Sequence, residues 1–425
     1  MIPRGRVGVV RSLYPAAALL VVACGRNPAS TSRGQAGPEL CAAEIAAGAR
    51  HSCVRATDGR IWCWGNNEYG QVGGEPAKAA RTPRKMTGLP AAAVRVAAGC
   101  HNTCAELADG SLWCWGSNKS GQLGAGATGV FATVPVRIAG MEGPFRSVAM
   151  NCVYEQPLSW EDPKIESHHI CAVKADGSTW CWGAGRYGYF GDGELNAASS
   201  PTPVLVQGLG VAAEQVTAGF RHACVRASGS VLCWGANGMG GVGLPAASQT
   251  LPPVNVPGLP PIVDVAAGSA NTCAVAGDGS VWCWGSNELG ESGTGDPMSP
   301  RVVHPAAQVP LPGKALRVVA GITSCAMLEH GSVYCWGANQ YGELGIGEMY
   351  KSSPPANGTA TPMEVKLSVA AVSIASTTNH ICIASDSDAV WCWGYNASGE
   401  LGNGTITEID GIPTPVEVLD YCWQE

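Results

Sequence analysis

The chain has 425 residues, with 57 Gly, 29 Pro and 19 Cys, and sets 26 Lys and Arg against 33 Asp and Glu for a formal charge of −7. An acidic balance with no run of Lys or Arg interleaved with aromatics is a poor surface for a phosphate backbone, which argues against a nucleic-acid partner. Nineteen cysteines point to an oxidising compartment, and the Gly, Pro and sparse charge fit an all-β chain with many turns.

Arg4, Arg6 and Arg11 precede an apolar stretch, Ser12 to Ala23, about as long as a signal-peptide core. It is too short for a comfortable transmembrane helix, which needs roughly 20 apolar residues. Residues 1–23 therefore read as a leader. Val21-Val22-Ala23-Cys24 resembles a bacterial lipobox, with Val where Leu is usual, and makes Cys24 the lipid acceptor. The alternative is ordinary cleavage near Ala23, which leaves a secreted soluble chain. Gly25 after the Cys, rather than Asp, favours the outer membrane over the inner one. Residues 24–39, small and polar, read as a tether to a folded region, 40–425, that meets the membrane only through its anchor. Loss of the three leader arginines leaves 23 basic against 33 acidic residues, −10.

From residue 45 one pattern recurs seven times: a Cys, a turn, a second Cys, Trp-Gly and a Gly-rich tail. The first copy runs His51-Ser52-Cys53, Asp58-Gly59, Trp62-Cys63-Trp64-Gly65, Asn67 and Gly70-Gln71-Val72-Gly73. The repeat cores fall near 45–73, 94–124, 146–191, 214–243, 263–293, 316–345 and 371–402. Strand-like, Gly-rich repeats of about 50 residues indicate a closed ring of blades rather than an open helical stack.

The repeats contain seven cysteine pairs: Cys53/Cys63, Cys104/Cys114, Cys171/Cys181, Cys224/Cys233, Cys273/Cys283, Cys325/Cys335 and Cys382/Cys392. Six are ten positions apart. A bridge across such a hairpin predicts a three-residue loop whose last residue is left-handed: Gly59, Gly110, Gly177, Gly279, Gly331 and Asp388. The fourth pair is nine apart, which centres its turn between Ser228 and Gly229 as a two-residue loop. A shortened loop that still sets Cys opposite Cys favours disulfides over metal. The competing metal reading rests on His51, His169, His222 and His380, each two positions before a Cys. It supplies three ligands per blade where structural zinc takes four, and Asn102, Asn271 and Thr323 fill the position elsewhere. No metal and no cofactor are expected. Among the other cysteines, Cys100 and Cys152 hold equivalent places in adjacent repeats and are expected to pair. Cys41 and Cys422 then pair by elimination. Residues 413–425 resemble the Thr-Pro-Val strands that open other repeats and are expected to complete the first blade, closing the ring with mixed chain ends.

Twelve of the fourteen Trp keep one register inside the hairpins, which marks them as packing residues. Trp423 is expected to cap the first blade. Trp160 lies in an insertion of about 15 residues in the third repeat, where Tyr154, Leu158, Trp160 and Glu161 are candidate partner-binding residues. The alternative is a loop folded over the disc's own face. A second long stretch, 347–362, reads as flexible filler between the sixth and seventh blades.

Trp115-Gly116-Ser117-Asn118-Lys119-Ser120-Gly121-Gln122-Leu123-Gly124 and the Val-Ala-Ala-Gly-x-x-His-x-Cys block before such segments resemble the regulator-of-chromosome-condensation repeat. The resemblance covers essentially all of 40–425 and implies a seven-bladed β-propeller of four-stranded antiparallel blades. The third repeat departs from it with Gly183-Ala184-Gly185 where Asn is usual, the fourth with Gly240-Gly241-Val242-Gly243, and the fifth with Ser292 for Leu. The family's founding activity, nucleotide exchange on a nuclear GTPase, is not expected, because export, charge and disulfides oppose it. Other relatives bind proteins, a secreted bacterial inhibitor of β-lactamases among them. No H-E-x-x-H, G-x-S-x-G or phosphate loop appears, so no catalytic residue is assigned. The expectation is a non-enzymatic, monomeric, anchored scaffold that binds an unknown protein or surface glycan through one loop face. The alternatives are a surface polysaccharide hydrolase or lyase with a channel-mouth site, and a purely structural envelope protein.

Overall fold

The computed structural model describes residues 42–150, 153–154, 166–194, 199–247, 250–294, 300–350, 357–407 and 410–419. Seven antiparallel sheets of four strands follow one another along the chain. In the first blade, strands a to d are Ala42–Ala47, His51–Ala56, Ile61–Asn67 and Ala77–Lys85, in that spatial order. Blades 2 to 7 span 93–142, 145–205, 215–255, 262–309, 315–364 and 371–417 with the same order. Each strand a neighbours the next, and that of blade 7 neighbours that of blade 1. The product is a seven-bladed propeller with the a strands around the axis.

The b–c hairpins follow from loop length. Arg55 pairs with Ile61 around Thr57-Asp58-Gly59, and Gly59 takes the left-handed φ of 82°. Asp388 does the same work in blade 7 at φ 65°. In blade 4, Ala227 pairs with Ser230, so Ser228 (φ 49°) and Gly229 (φ 80°) form the two-residue turn whose twist suits a tight hairpin. With the strands so registered, every b–c cysteine pair faces its partner at a Cα separation of 4.0–4.1 Å and is bonded: Cys53–Cys63, Cys104–Cys114, Cys171–Cys181, Cys224–Cys233, Cys273–Cys283, Cys325–Cys335 and Cys382–Cys392. Cys100 is also disulfide-bonded. Its expected partner Cys152, the expected Cys41–Cys422 pair and Cys24 lie outside the described residues. Replacing Cys53 and Cys63 by Ser is expected to lower stability by about 2–3 kcal/mol in urea unfolding, the loop entropy of one ten-residue bridge.

The apolar core lies between blades. Trp115, for example, packs with Cys53, Cys63 and Val72 of blade 1, and Trp64 of blade 1 packs with Cys382, Cys392 and Leu401 of blade 7. Trp64, Trp115, Trp182, Trp234, Trp284, Trp336 and Trp393 are all buried. Each donates its indole N–H to a backbone carbonyl of the preceding blade at 2.8–3.0 Å: Glu400, Gln71, Gln122, Tyr189, Gly241, Glu291 and Glu343 in turn. A buried Trp N–H needs such a partner. The following Gly has its own cause: a Cβ on Gly65 would stand 2.6 Å from the Arg50 carbonyl.

Two expectations are corrected. Residues 411–417 do not complete the first blade; Gly411–Glu417 pairs with Val390–Tyr395 as the fourth strand of blade 7, with Val416 opposite Cys392. Blade 1 instead opens with its own Ala42–Ala47. The Thr-Pro-Val strands belong to the repeat they follow: Val136 faces Cys114 and Val204 faces Cys181. Among the described residues the ring therefore closes by packing and hydrogen bonds, not by a sheet of mixed chain ends. For the same reason the described parts of 347–362 belong to blade 6, whose fourth strand is Gly358–Glu364, rather than to a connection between blades 6 and 7. Outside the described residues lie 421–425, including Trp423.

Candidate interaction face

The strand directions give the disc two unlike faces. All a–b turns and c–d loops emerge on one, the loop face. The b–c hairpins and the connections from strand d to the next strand a lie on the other, the hairpin face. The stem of the third-blade insertion lies between strands a and b, and so stands on the loop face. It is a two-residue pairing, Val153 with Ser167 and Tyr154 with Glu166. Tyr154 is thus placed by its backbone, whereas Leu158, Trp160 and Glu161 lie outside the described residues.

Three aromatic–cation clusters gather on the loop face. At blades 1 and 2, Lys119 Nζ lies 3.1 Å from the Tyr69 hydroxyl and 4.9 Å from its ring centre, and Tyr69 meets His101 at 4.9 Å. His101 meets His168, beside the insertion, at 5.6 Å. At blades 3 and 4, Arg221 stands over Tyr187 at 5.5 Å and Phe220 at 5.4 Å. Across the ring, Tyr341 and Tyr395 make an edge contact at 4.9 Å with Arg50 over Tyr395 at 5.8 Å. Stacked cations on half-exposed rings give a surface that is rigid, amphipathic and little penalised by side-chain entropy on binding. Exposed Val130, Phe131 and Val134 extend the first cluster along strand d of blade 2.

None of these loop residues was singled out in the sequence. The signal was available: Tyr69, Tyr187 and Tyr341 stand immediately before the turn glycine of their c–d loops, a position seen only when the copies are stacked.

Beneath the face runs a polar belt between blades. His51 Nε2 lies 2.9 Å from Thr103 Oγ1, His222 Nε2 2.7 Å from Thr272 Oγ1, and His380 Nε2 2.8 Å from Ser52 Oγ. Asn271 donates to Ser324 Oγ at 3.1 Å in the same role. Burial lowers the imidazoles, His51 and His169 to about 3 and His222 and His380 to about 4, with His101 and His380 adding repulsion at His51. They are neutral packing groups at physiological pH. Among the described residues no three His, Cys, Asp or Glu side chains are grouped to hold a metal. A pocket on this face at the inner ends of strands a of blades 3 to 7 is lined by Met150, Gly219, Phe220, Gly268, Ser269 and Thr377 among others, with no acid, His, Lys or Arg among its described lining residues.

The tail of each repeat builds the c–d loop the same way. Asn67 accepts from Val72 N–H and donates to the Gly73 and Glu75 carbonyls, and Asn118, Asn237, Asn339 and Asn396 hold equivalent loops. The model of the Regulator of chromosome condensation (RCC1) repeat matches residues 58–105, 109–152, 176–226, 228–275 and 330–384, and a second model of the same repeat adds 42–71, 93–122, 213–240, 262–291 and 371–400. The chain belongs to the RCC1-repeat family.

Two relatives are similar in sequence. The E3 ubiquitin-protein ligase HERC2 of Homo sapiens is 29% identical over 363 residues, 83% of this chain. The chain spans only 7% of that protein. The ultraviolet-B receptor UVR8 of Arabidopsis thaliana is 29% identical over 381 residues, 88% of this chain and 70% of the receptor. Among solved structures, Prp20p of Saccharomyces cerevisiae has a TM-score of 0.70 at 19% identity, over 90% of this chain and 88% of that one. Human WBSCR16 has a TM-score of 0.70 at 20%, over 85% and 94%. These likenesses carry the fold. Within the RCC1 pattern the third blade is the exception: Gly185 replaces the loop Asn, and a short 3-10 turn, Arg186–Gly188, with Tyr187 at φ 59°, shapes the loop instead. Tyr187 in this turn lies under Arg221.

Proposed function

We propose that this chain is an exported, lipid-anchored RCC1-repeat propeller that binds a protein partner through its loop face and catalyses no reaction. The observation that carries the reading is the gathering of three aromatic–cation clusters on that one face, with the insertion stem rising beside the Tyr69–His101–His168 group. Seven bonded hairpins suit an oxidising compartment, in line with a leader at 1–23 and an acceptor at Cys24. Protein recognition is a use the fold serves elsewhere: Prp20p is described with binding properties toward Gsp1p and histones. The pocket at the inner ends of strands a of blades 3 to 7 offers no acid–base pair among its described lining residues.

The test is recovery of partners from envelope extracts with three proteins: the parent, a deletion of 154–167, and a Tyr69→Ala, Lys119→Glu double variant. Loss of the same partner from both variants, with unchanged thermal melting, is expected. Equal recovery from all three overturns the loop-face assignment.

A further inference from the structure

The hairpin face carries a feature that partner binding on the opposite side does not use. Where strand a begins in every blade but the fourth, a β-bulge leaves one residue out of register, at the inner edge of the hairpin face. In blades 5, 6, 7 and 2 that residue is Val263, Leu316, Val372 and Val94, exposed by 50, 52, 39 and 46%, and in blade 1 it is the exposed Ala43. Blade 3 places Arg146 at its bulge and blade 4 has Glu214 just before its strand a, so the apolar residues form one arc over five consecutive blades. The bulge serves the twist of an inner strand. It does not require an aliphatic side chain facing water.

We propose that this arc rests against a phospholipid bilayer. The occupant follows from where the chain leaves the disc. Ala42 begins strand a of blade 1 on the hairpin face, within the arc, and only residues 25–41 separate it from Cys24. A chain of that length has a contour of roughly 60 Å and a mean span nearer 20 Å. It holds the hairpin face close to the surface in which Cys24 is anchored, so weak apolar contacts act at high effective concentration. Charge narrows the lipid class. The hairpin tips of these blades set Asp58, Asp109, Asp278, Glu329, Asp386 and Asp388 around the arc, beside Arg60 and Lys314. Such a mixed rim suits a zwitterionic headgroup layer and is repelled by an anionic one. The loop face, with its aromatic clusters, then points away from the membrane toward its partner.

The inference rests on the anchor reading for its biological setting, and the experiment separates the two. A mature chain carrying a histidine tag in place of residue 24 is attached to phosphatidylcholine vesicles through a chelating lipid, with or without brominated acyl chains. Leu316→Trp and Val130→Trp, on opposite faces, report proximity to the bilayer by quenching of the added emission. The emission of Leu316→Trp is expected to fall by roughly half, that of Val130→Trp to stay constant, and the quenching to weaken on replacing half the lipid by phosphatidylglycerol. Quenching of Val130→Trp alone, or of neither, overturns the proposal. Adding Val263→Asp and Val372→Asp to the Leu316→Trp protein is expected to abolish the quenching, and persistence of the signal also overturns it. Acylation is read independently, by labelled fatty acid incorporated into the full chain and lost in Cys24→Ser; failure there removes the anchor without touching the vesicle result.

Discussion

Trp64→Ala is expected to lower the unfolding free energy by about 3–5 kcal/mol, the range for deleting a fully buried indole. Trp64 is buried between blades 1 and 7, against Cys382, Cys392 and Leu401, and its N–H donates to the Glu400 carbonyl at 2.8 Å. Ser52 Oγ also donates to that carbonyl, so most of the loss is packing rather than an orphaned acceptor. Trp284→Ala creates a similar void between blades 4 and 5. There, however, residues 256–261 run directly from one blade to the next, whereas the described chain crosses from blade 7 to blade 1 only through side chains and hydrogen bonds. Two measurements follow. Urea midpoints should fall for both variants. Amide exchange in Ala42–Ala47 and Ala371–Ser376 should accelerate far more in Trp64→Ala than exchange in the corresponding strands of blades 4 and 5 does in Trp284→Ala. Equal acceleration at the two junctions would mean that the seam between the chain ends is no weaker than the rest of the ring.

That seam also shows where the sequence was legible and where it was not. The hairpins could be read because three independent constraints coincide on them: the cysteine spacing, the loop length and the residue that must be left-handed. Asp388 and the Ser228-Gly229 slip obey all three. The phase of a blade has no such redundancy. A Thr-Pro-Val strand is equally plausible as the last strand of one repeat or the first of the next, and only the pairing of Val204 with Cys181 or Val416 with Cys392 decides it. The candidate face was half legible. Its insertion announced itself as an interruption, but Tyr69, Lys119, Arg221 and Tyr341 sit at freely varying positions of the repeat. Their significance arises from contacts between blades, such as Lys119 on Tyr69, that no local pattern encodes.

The melting temperature is expected to peak near pH 7 and to fall on both sides, for opposite reasons. His51, His169, His222 and His380 are held neutral by burial, at about 3 to 4 against an ordinary 6.5. Below 6.5 the unfolded chain takes up protons that the folded one refuses, so stability drops as pH falls from 6.5 toward 4. Each imidazole costs roughly 2–3 kcal/mol by pH 4.5, which summed over four is enough to unfold a typical domain. Burial raises Glu343 and Glu400 to about 7 from an ordinary 4.5. Here the folded state keeps protons that the unfolded state releases, so stability drops as pH rises from 4.5 through 7, by up to about 3 kcal/mol for each group. The cause is visible in the other copies. Gln71 and Gln122 fill the same position with an amide that donates to Asn66 Oδ1 and Ser117 Oγ, and Glu291 receives the Ser286 hydroxyl. Ala338 and Tyr395 occupy the place of that side-chain partner in blades 6 and 7, which leaves Glu343 its bond from Tyr341 N–H and Glu400 its bond from Ser398 N–H, with Arg50 the nearby cation at Glu400. Glu343→Gln with Glu400→Gln should therefore flatten the alkaline limb between pH 7 and 8.5 and leave the fall toward acid pH in place. A double variant that melts with the parent's slope above pH 7 would show that these carboxyls do not set it. Because the Glu400 carbonyl accepts Trp64 and the Glu343 carbonyl accepts Trp393, the strain of ionisation falls on the two junctions that flank blade 7, and alkaline loosening should begin there.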